Sequence, residues 1–312
     1  MSAQLQSEKP WYLSLALGFS AWVAGILLLI GFAILLMPDS SGEFITIGLL
    51  LIGTSFAAMK LAKDHDFIGQ LALCLSVAGQ CLLIAGVYQQ GNDAGNLAFS
   101  CLILQVLMSV TMPSRIHRSM SALFAVIAWA FWCRSLTVDG NFWELFWQTR
   151  SQIDQLQNTS SQFFWWFSTW LPVIALCWLL LKQTASRHWI ALFDPILRGL
   201  LVGLASASLI SNFGVLLGET GAGSVAIWSL LSAAAAVVAL IFSFRLRSRA
   251  LMGFSVVCVL FHLVSFYYAL STTLLWKSVL MLVIGLVCLG VQQLLKKQGA
   301  QLQVIAKSRE MS

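Results

Sequence analysis

Charge is what this 312-residue chain has least of. Asp, Glu, Lys and Arg together make up 10% of it, against roughly 25% in an ordinary soluble domain. A soluble fold of this length cannot clothe its surface with so few charges. A soluble globular enzyme is therefore excluded, and 59% apolar residues exclude a disordered chain. Cysteine pairing is also missing: the seven cysteines form no CxxC, and all fall within or at the edge of apolar runs. That leaves no disulfide or metal framework and reads as small helix-packing residues. No HExxH, GxSxG or Walker loop occurs, and His65, His117, His188 and His262 are scattered. Asp64-His65-Asp66 reads as a solvated turn. The expectation is a chain that is not an enzyme, with no catalytic residue, no cofactor and no metal.

What is present is apolar sequence in long runs. A run of 18 or more such residues is long enough to cross a bilayer as helix. Ten occur, at about 12–37, 44–61, 67–88, 95–112, 119–136, 163–182, 196–218, 223–244, 250–270 and 273–294. The first is too long for the apolar part of a signal peptide, and no small-residue cleavage site follows it. Lipid offers the backbone no hydrogen bonds, so each run must be helical. Barrel strands would alternate over ~10 residues, and these runs are continuous. The predicted fold is an all-α polytopic transmembrane bundle of about ten spans. It forms a single membrane domain over 1–295, with an outer loop at 137–162 and a basic cytoplasmic tail at 296–312.

Charge placement gives the orientation. With both termini cytoplasmic, every Lys and Arg except Arg134, Arg150 and Lys277 falls in an inner segment. The outer connections hold Asp39, Glu43, Asp93, Asp139, Glu144, Asp154 and Glu219 instead. This is the positive-inside pattern of a polytopic membrane protein. The basic clusters also suit anionic lipid and not nucleic acid.

The outer loop has its own pattern. Phe142, Trp143, Phe146 and Trp147 recur at i, i+4 spacing, and Asn141, Glu144 and Gln148 take the other face. This predicts a short amphipathic helix in the outer interface. Eight of the 13 tryptophans lie between 129 and 178, which suits an aromatic belt that fixes helix depth. The same four residues also form a candidate docking surface for an extracytoplasmic partner.

Polar residues inside apolar runs are costly and mark candidate sites. Here they are Gln70, Gln80, Gln105, Asn212, His262 and Lys277, with no deep Asp or Glu. Lys277 lies about 6 Å below the outer start of its run at 1.5 Å per residue. Glu219, Tyr267 and Tyr268 share that level, and Asn212, His262 and Gln80 lie below it. Shared depth predicts an outward-facing polar pocket of Gln80, Asn212, Glu219, His262, Tyr267, Tyr268 and Lys277. The plainer readings are a snorkelling lysine and interhelical hydrogen bonds. Gly199, Gly203, Ala207 and Ser211 form a four-residue seam, so their helix is expected to be central.

Three segments carry a resemblance. They are Pro10-Trp11-Tyr12 through Gly18, Trp22 and Leu27 to Leu36; Asp66-Phe67-Ile68-Gly69-Gln70 into Ser76-Val77-Ala78-Gly79-Gln80; and Tyr267-Tyr268 followed by Thr273-Leu274-Leu275 and Lys277-Ser278. Together they resemble a family of multi-spanning bacterial membrane proteins catalogued as a domain of unknown function. The resemblance implies a partner, a protein with a GDYxxLxY motif encoded nearby. Two functions fit these readings: a non-catalytic membrane subunit or scaffold working with such a partner, and a small-solute permease with five-plus-five inverted repeats.

Overall fold

In the computed structural model the residues described are 40–61, 66–91, 93–136, 159–183, 190–211 and 224–269, with parts of 19–31 and 273–293. Among them every regular element is a helix. The order is α1 Ser41–Leu61, α2 Asp66–Gln89, α3 Ala94–Thr111, α4 Arg115–Ser135, α5 Thr159–Gln183, α6 Ile190–Ser211, α7 Ser224–Arg245 and α8 Arg249–Ala269. A shorter α9 follows at Leu274–Val283. Five described helices have an apolar stretch long enough to cross a membrane: Ser41–Leu61, Phe67–Gln89, Ala94–Thr111, Arg115–Ser135 and Trp166–Gln183. Large apolar side chains on their outer faces, including Leu50, Ile103, Leu107 and Leu171, stay exposed. Such faces belong in hydrocarbon, where a helix is stable because it satisfies its own backbone. The protein is an all-α membrane protein.

Short turns set the pairing. Asp93 caps α3, its carboxylate accepting from the Asn96 amide at 2.8 Å. Just before it, Gly91 ends the α2 turn at φ +75, a conformation glycine adopts without a Cβ penalty. Ser114 caps α4, with Pro113 immediately before it. α4 consequently starts at Arg115, four residues ahead of the apolar run at 119–136, and takes His117 and Arg118 into the helix.

Among the described residues two apolar cores are the largest. One joins α1, α2 and α3 through Ile52, Met59, Leu73 and Met108. The larger joins α4 to α8 through Val126, Trp170, Leu197, Leu201 and Ala239. α6 is central to the second, packing on α4, α5, α7 and α8, as its small-residue seam predicts. A Cβ at Gly199 would collide with the Ser119 carbonyl, and one at Gly203 would stand 2.8 Å from Val126 Cβ. Glycine serves α1 and α2 the same way: a Cβ at Gly48 would stand 2.7 Å from the Gly79 carbonyl oxygen. Lipid gives helices no hydrophobic reason to associate, so close backbone packing has to hold them.

α4 also repairs its neighbours. Proline has no N–H, so the carbonyl four residues earlier loses its helical donor. Pro172 lies inside α5 and frees the Ser168 carbonyl, to which Trp129 Nε1 of α4 donates at 3.0 Å. Pro113 denies a donor to the Ser109 carbonyl at the end of α3, and Arg118 Nε donates there at 2.8 Å. The same guanidinium donates from its second nitrogen to the Leu192 carbonyl of α6 at 2.6 Å. Ser119 Oγ donates to the Pro195 carbonyl at 2.7 Å. The Ser168 and Ser109 carbonyls, which proline deprives of a donor, are thus satisfied by a neighbouring helix at membrane depth. Leu192 and Pro195 keep the N–H groups of Ile196 and Gly199 and gain a second donor.

Candidate polar network and lateral cavity

The two cores meet where α2, α3 and α4 converge, and the contact there is polar. Gln80 and Ser76 are one turn apart on α2, Gln105 is on α3, and His117 and Ser121 are one turn apart on α4. All five are buried. Ser76 Oγ lies 2.7 Å from His117 Nε2, and Gln80 Nε2 lies 3.3 Å from the same nitrogen. Ser121 Oγ lies 3.2 Å from His117 Nδ1. Gln105 Nε2 donates to Gln80 Oε1 at 2.7 Å. One assignment satisfies these contacts. An amide nitrogen can only donate, so His117 Nε2 accepts from Gln80 and from the Ser76 hydroxyl, and His117 Nδ1–H donates to Ser121. The imidazole is neutral in this arrangement. The network runs in one direction, from Gln105 through Gln80 to His117 and Ser121.

One acceptor is left over. Gln105 is 5% exposed, and among the described residues no donor reaches its Oε1. Beside it lies a cavity of about 500 Å³. Its walls are apolar: Ile84 and Ala85 of α2, Leu97 and Ala98 of α3, Phe124 and Phe131 of α4. Gln80 and Gln105 provide the polar end. Cys81, Tyr88 and Phe124 are exposed along the opening. From Cys81 to Tyr88 is about 10 Å of helix at 1.5 Å per residue. The opening therefore runs along the side of the bundle.

Ser76 and His117 are close enough to suggest a nucleophile and its base. Their surroundings deny that role. Ser76 is fully buried, the cavity is lined by Gln80 and Gln105 instead, and Gln80 shares the His117 nitrogen that a base would use. Among the described residues no group of three or more His, Cys, Asp or Glu could hold a metal ion. Asp66 begins α2, and Asp64 and His65 lie outside the described residues.

Of the residues read as an outward pocket, the structure unites two. Lys277 Nζ of α9 stands 5.0 Å over the Tyr267 ring of α8, a cation–π contact between an ammonium and an aromatic face. His262 is fully buried in α8, with Phe261 edge-on at 5.8 Å. α8 packs on α6 and α7, whereas Gln80 is engaged with α3 and α4. Tyr268 lies in α8, but its side chain is outside the described residues, as are Asn212 and Glu219. The same holds for Phe142, Trp143, Phe146 and Trp147 of the outer loop.

Ser76, His117, Ser121 and Arg118 are functional in packing terms and do not stand out in sequence. Ser76 and Ser121 sit inside apolar runs like many small residues, and His117 and Arg118 precede the run they belong to. The available signal was the i, i+4 spacing of Ser76–Gln80 and His117–Ser121, which stacks both pairs on single helix faces.

No curated protein and no solved structure matches this chain. A family model does match, over residues 10–234 and again over 216–298. The chain belongs to the family described as Domain of unknown function DUF4401.

Proposed function

We propose that the chain is a non-catalytic subunit or scaffold of the bacterial inner membrane, with both termini in the cytoplasm, working with a partner protein. The observation that carries this reading is how the interior polar groups are used. The histidine, both glutamines and the serines bond to one another, and Arg118 bonds to carbonyls of two neighbouring helices. Groups spent on holding helices together are not free for proton transfer or ion coordination. The absence of a deep carboxylate from the sequence adds to this, because coupled carriers use one. The positive-inside charge pattern supports the placement of the termini.

A small-solute permease of two inverted halves is the second reading, and the cavity is the observation in its favour. Such carriers bind between their halves near the midplane. The cavity here is walled by three consecutive helices of one half and is mostly apolar, which favours the subunit.

The partner is a protein bearing the GDYxxLxY motif, docked on Phe142, Trp143, Phe146 and Trp147. Affinity capture from membranes is expected to recover that protein with the intact chain. Replacing all four aromatics by alanine is expected to cut recovery by at least tenfold, since buried aromatic anchors carry most of an interface's affinity. Unchanged recovery, or none with the intact chain, would count against the subunit.

A further inference from the structure

We propose that the lateral cavity between α2, α3 and α4 binds one neutral single-chain amphiphile, carrying a hydroxyl or N–H donor at its head and drawn from the bilayer. The inference goes beyond the subunit reading and does not lean on it.

The shape comes first. The volume of about 500 Å³ falls within the usual range for a small-molecule site. Its opening follows the flank of the bundle past Cys81, Phe124 and Tyr88. A molecule entering from that side comes from among the lipid chains, and apolar walls receive an apolar body.

The head group is set by Gln105. Its Oε1 is a buried acceptor with no donor among the described residues. The Gln105 side chain lines the cavity, and a turn of its amide toward that space is what presents Oε1 to a ligand. An orphaned acceptor is costly, and the simplest remedy is a donor brought by a ligand. The Gln105 amide already donates from Nε2 to Gln80, which polarises it and makes Oε1 a stronger acceptor. Water is a poor occupant, because it needs two to four polar partners and these walls supply few. A carboxylate or phosphate would set its negative oxygens against Oε1. An ammonium would find no counter-charge among the described lining residues, and burying it unpaired is prohibitive. Neutral donors remain. A plain acyl chain could fill the same space, but it would leave Oε1 unsatisfied, and that difference makes the proposal testable.

The test uses the full chain in lipid nanodiscs and a dodecanol probe with a diazirine on its chain. Irradiation is expected to label Ile84 and Tyr88 of α2 and Phe124, Ile127 and Phe131 of α4. Unlabelled n-dodecanol should compete about tenfold better than methyl dodecyl ether or n-dodecane, the value of one buried hydrogen bond. In Gln105→Leu the three competitors should become equal while labelling persists. Ala85→Trp should abolish labelling by filling the cavity. Equal competition by all three compounds in the unmodified chain would overturn the proposal and leave the space to acyl chains. So would labelling confined to exposed faces such as Leu274 and Leu275. The competition result needs no variant, and it is read without a partner, so its failure is distinct from failure of the capture experiment.

Discussion

Gly199→Ala is expected to destabilise the protein by about 3 kcal/mol or more. The added methyl would overlap the Ser119 carbonyl and stand 2.7 Å from Ala122 Cβ. Neither atom can move cheaply, because both belong to α4 or are fixed to its backbone. Overpacking a filled interior usually costs 1–3 kcal/mol, and a backbone clash lies at the upper end of that range. The site is also coupled to its surroundings, since Ser119 Oγ donates to Pro195 one turn away on α6. Separating α4 from α6 by even a few tenths of an ångström would strain that bond and the Arg118 bond to Leu192. Gly253→Ala on α8 is the control. Nothing lies within 4 Å of a Cβ there, and the better helix propensity of alanine should stabilise by up to about 1 kcal/mol. Thermal unfolding of both variants in the same detergent gives the comparison. Equal midpoints would show that the α4–α6 seam is looser than described.

Arg118→Met is expected to cost about 3 kcal/mol, measured the same way. Arg118 is 7% exposed and donates to two carbonyls on two helices. Losing a buried charged donor returns some desolvation energy, which argues for a smaller effect. Against it stand the acceptors left behind. The Ser109 carbonyl cannot fall back on its own helix, because the residue four positions on is Pro113. The orphaned Ser109 carbonyl costs about 1–3 kcal/mol. The Leu192 carbonyl, which keeps the Ile196 N–H of its own helix, loses a second, charge-assisted bond of about 1–2 kcal/mol, so the loss outweighs the gain. Arg118→Lys should recover less than half of the deficit. An ammonium on a single stem cannot hold two carbonyls at the fixed spacing of a guanidinium. Full rescue by lysine would mean that one of the two bonds contributes nothing.

The helices themselves were plain in the sequence because lipid imposes a simple rule, and long apolar runs follow it. α1 to α9 overlap the runs read from composition, and the Gly199–Gly203 seam correctly placed α6 at the centre of its core. Less was legible where a helix begins with polar residues. Arg115 to Arg118 read as a charged inner connection because apolar content alone cannot register a cap. The cap is Ser114, which turns that segment into the first turn of α4 and buries His117 and Arg118.

The interior polar contacts depended on lateral neighbours, which depth along a span does not reveal. Gln80 and His262 share a depth range yet face different partners: Gln80 meets Gln105 and His117, and α8, which carries His262, packs on α6 and α7. Tyr267 and Lys277 did meet, because only nine residues separate them in the sequence and few alternatives remain. The orphaned Gln105 oxygen was invisible for a related reason. Whether an amide is satisfied is a property of three helices together, and no single span contains the answer.

The proposed orientation threads helical hairpins through a bilayer with their cationic turns on the cytoplasmic side. Single cysteines at Gly91, Ser114 and Arg247, in a background without native cysteine, test this directly in intact cells with a membrane-impermeant thiol reagent. The threading predicts that the Gly91 site is labelled from outside while Ser114 and Arg247 react only after the membrane is opened. Labelling of Gly91 and Ser114 from the same side would contradict it, because α3 would then fail to cross.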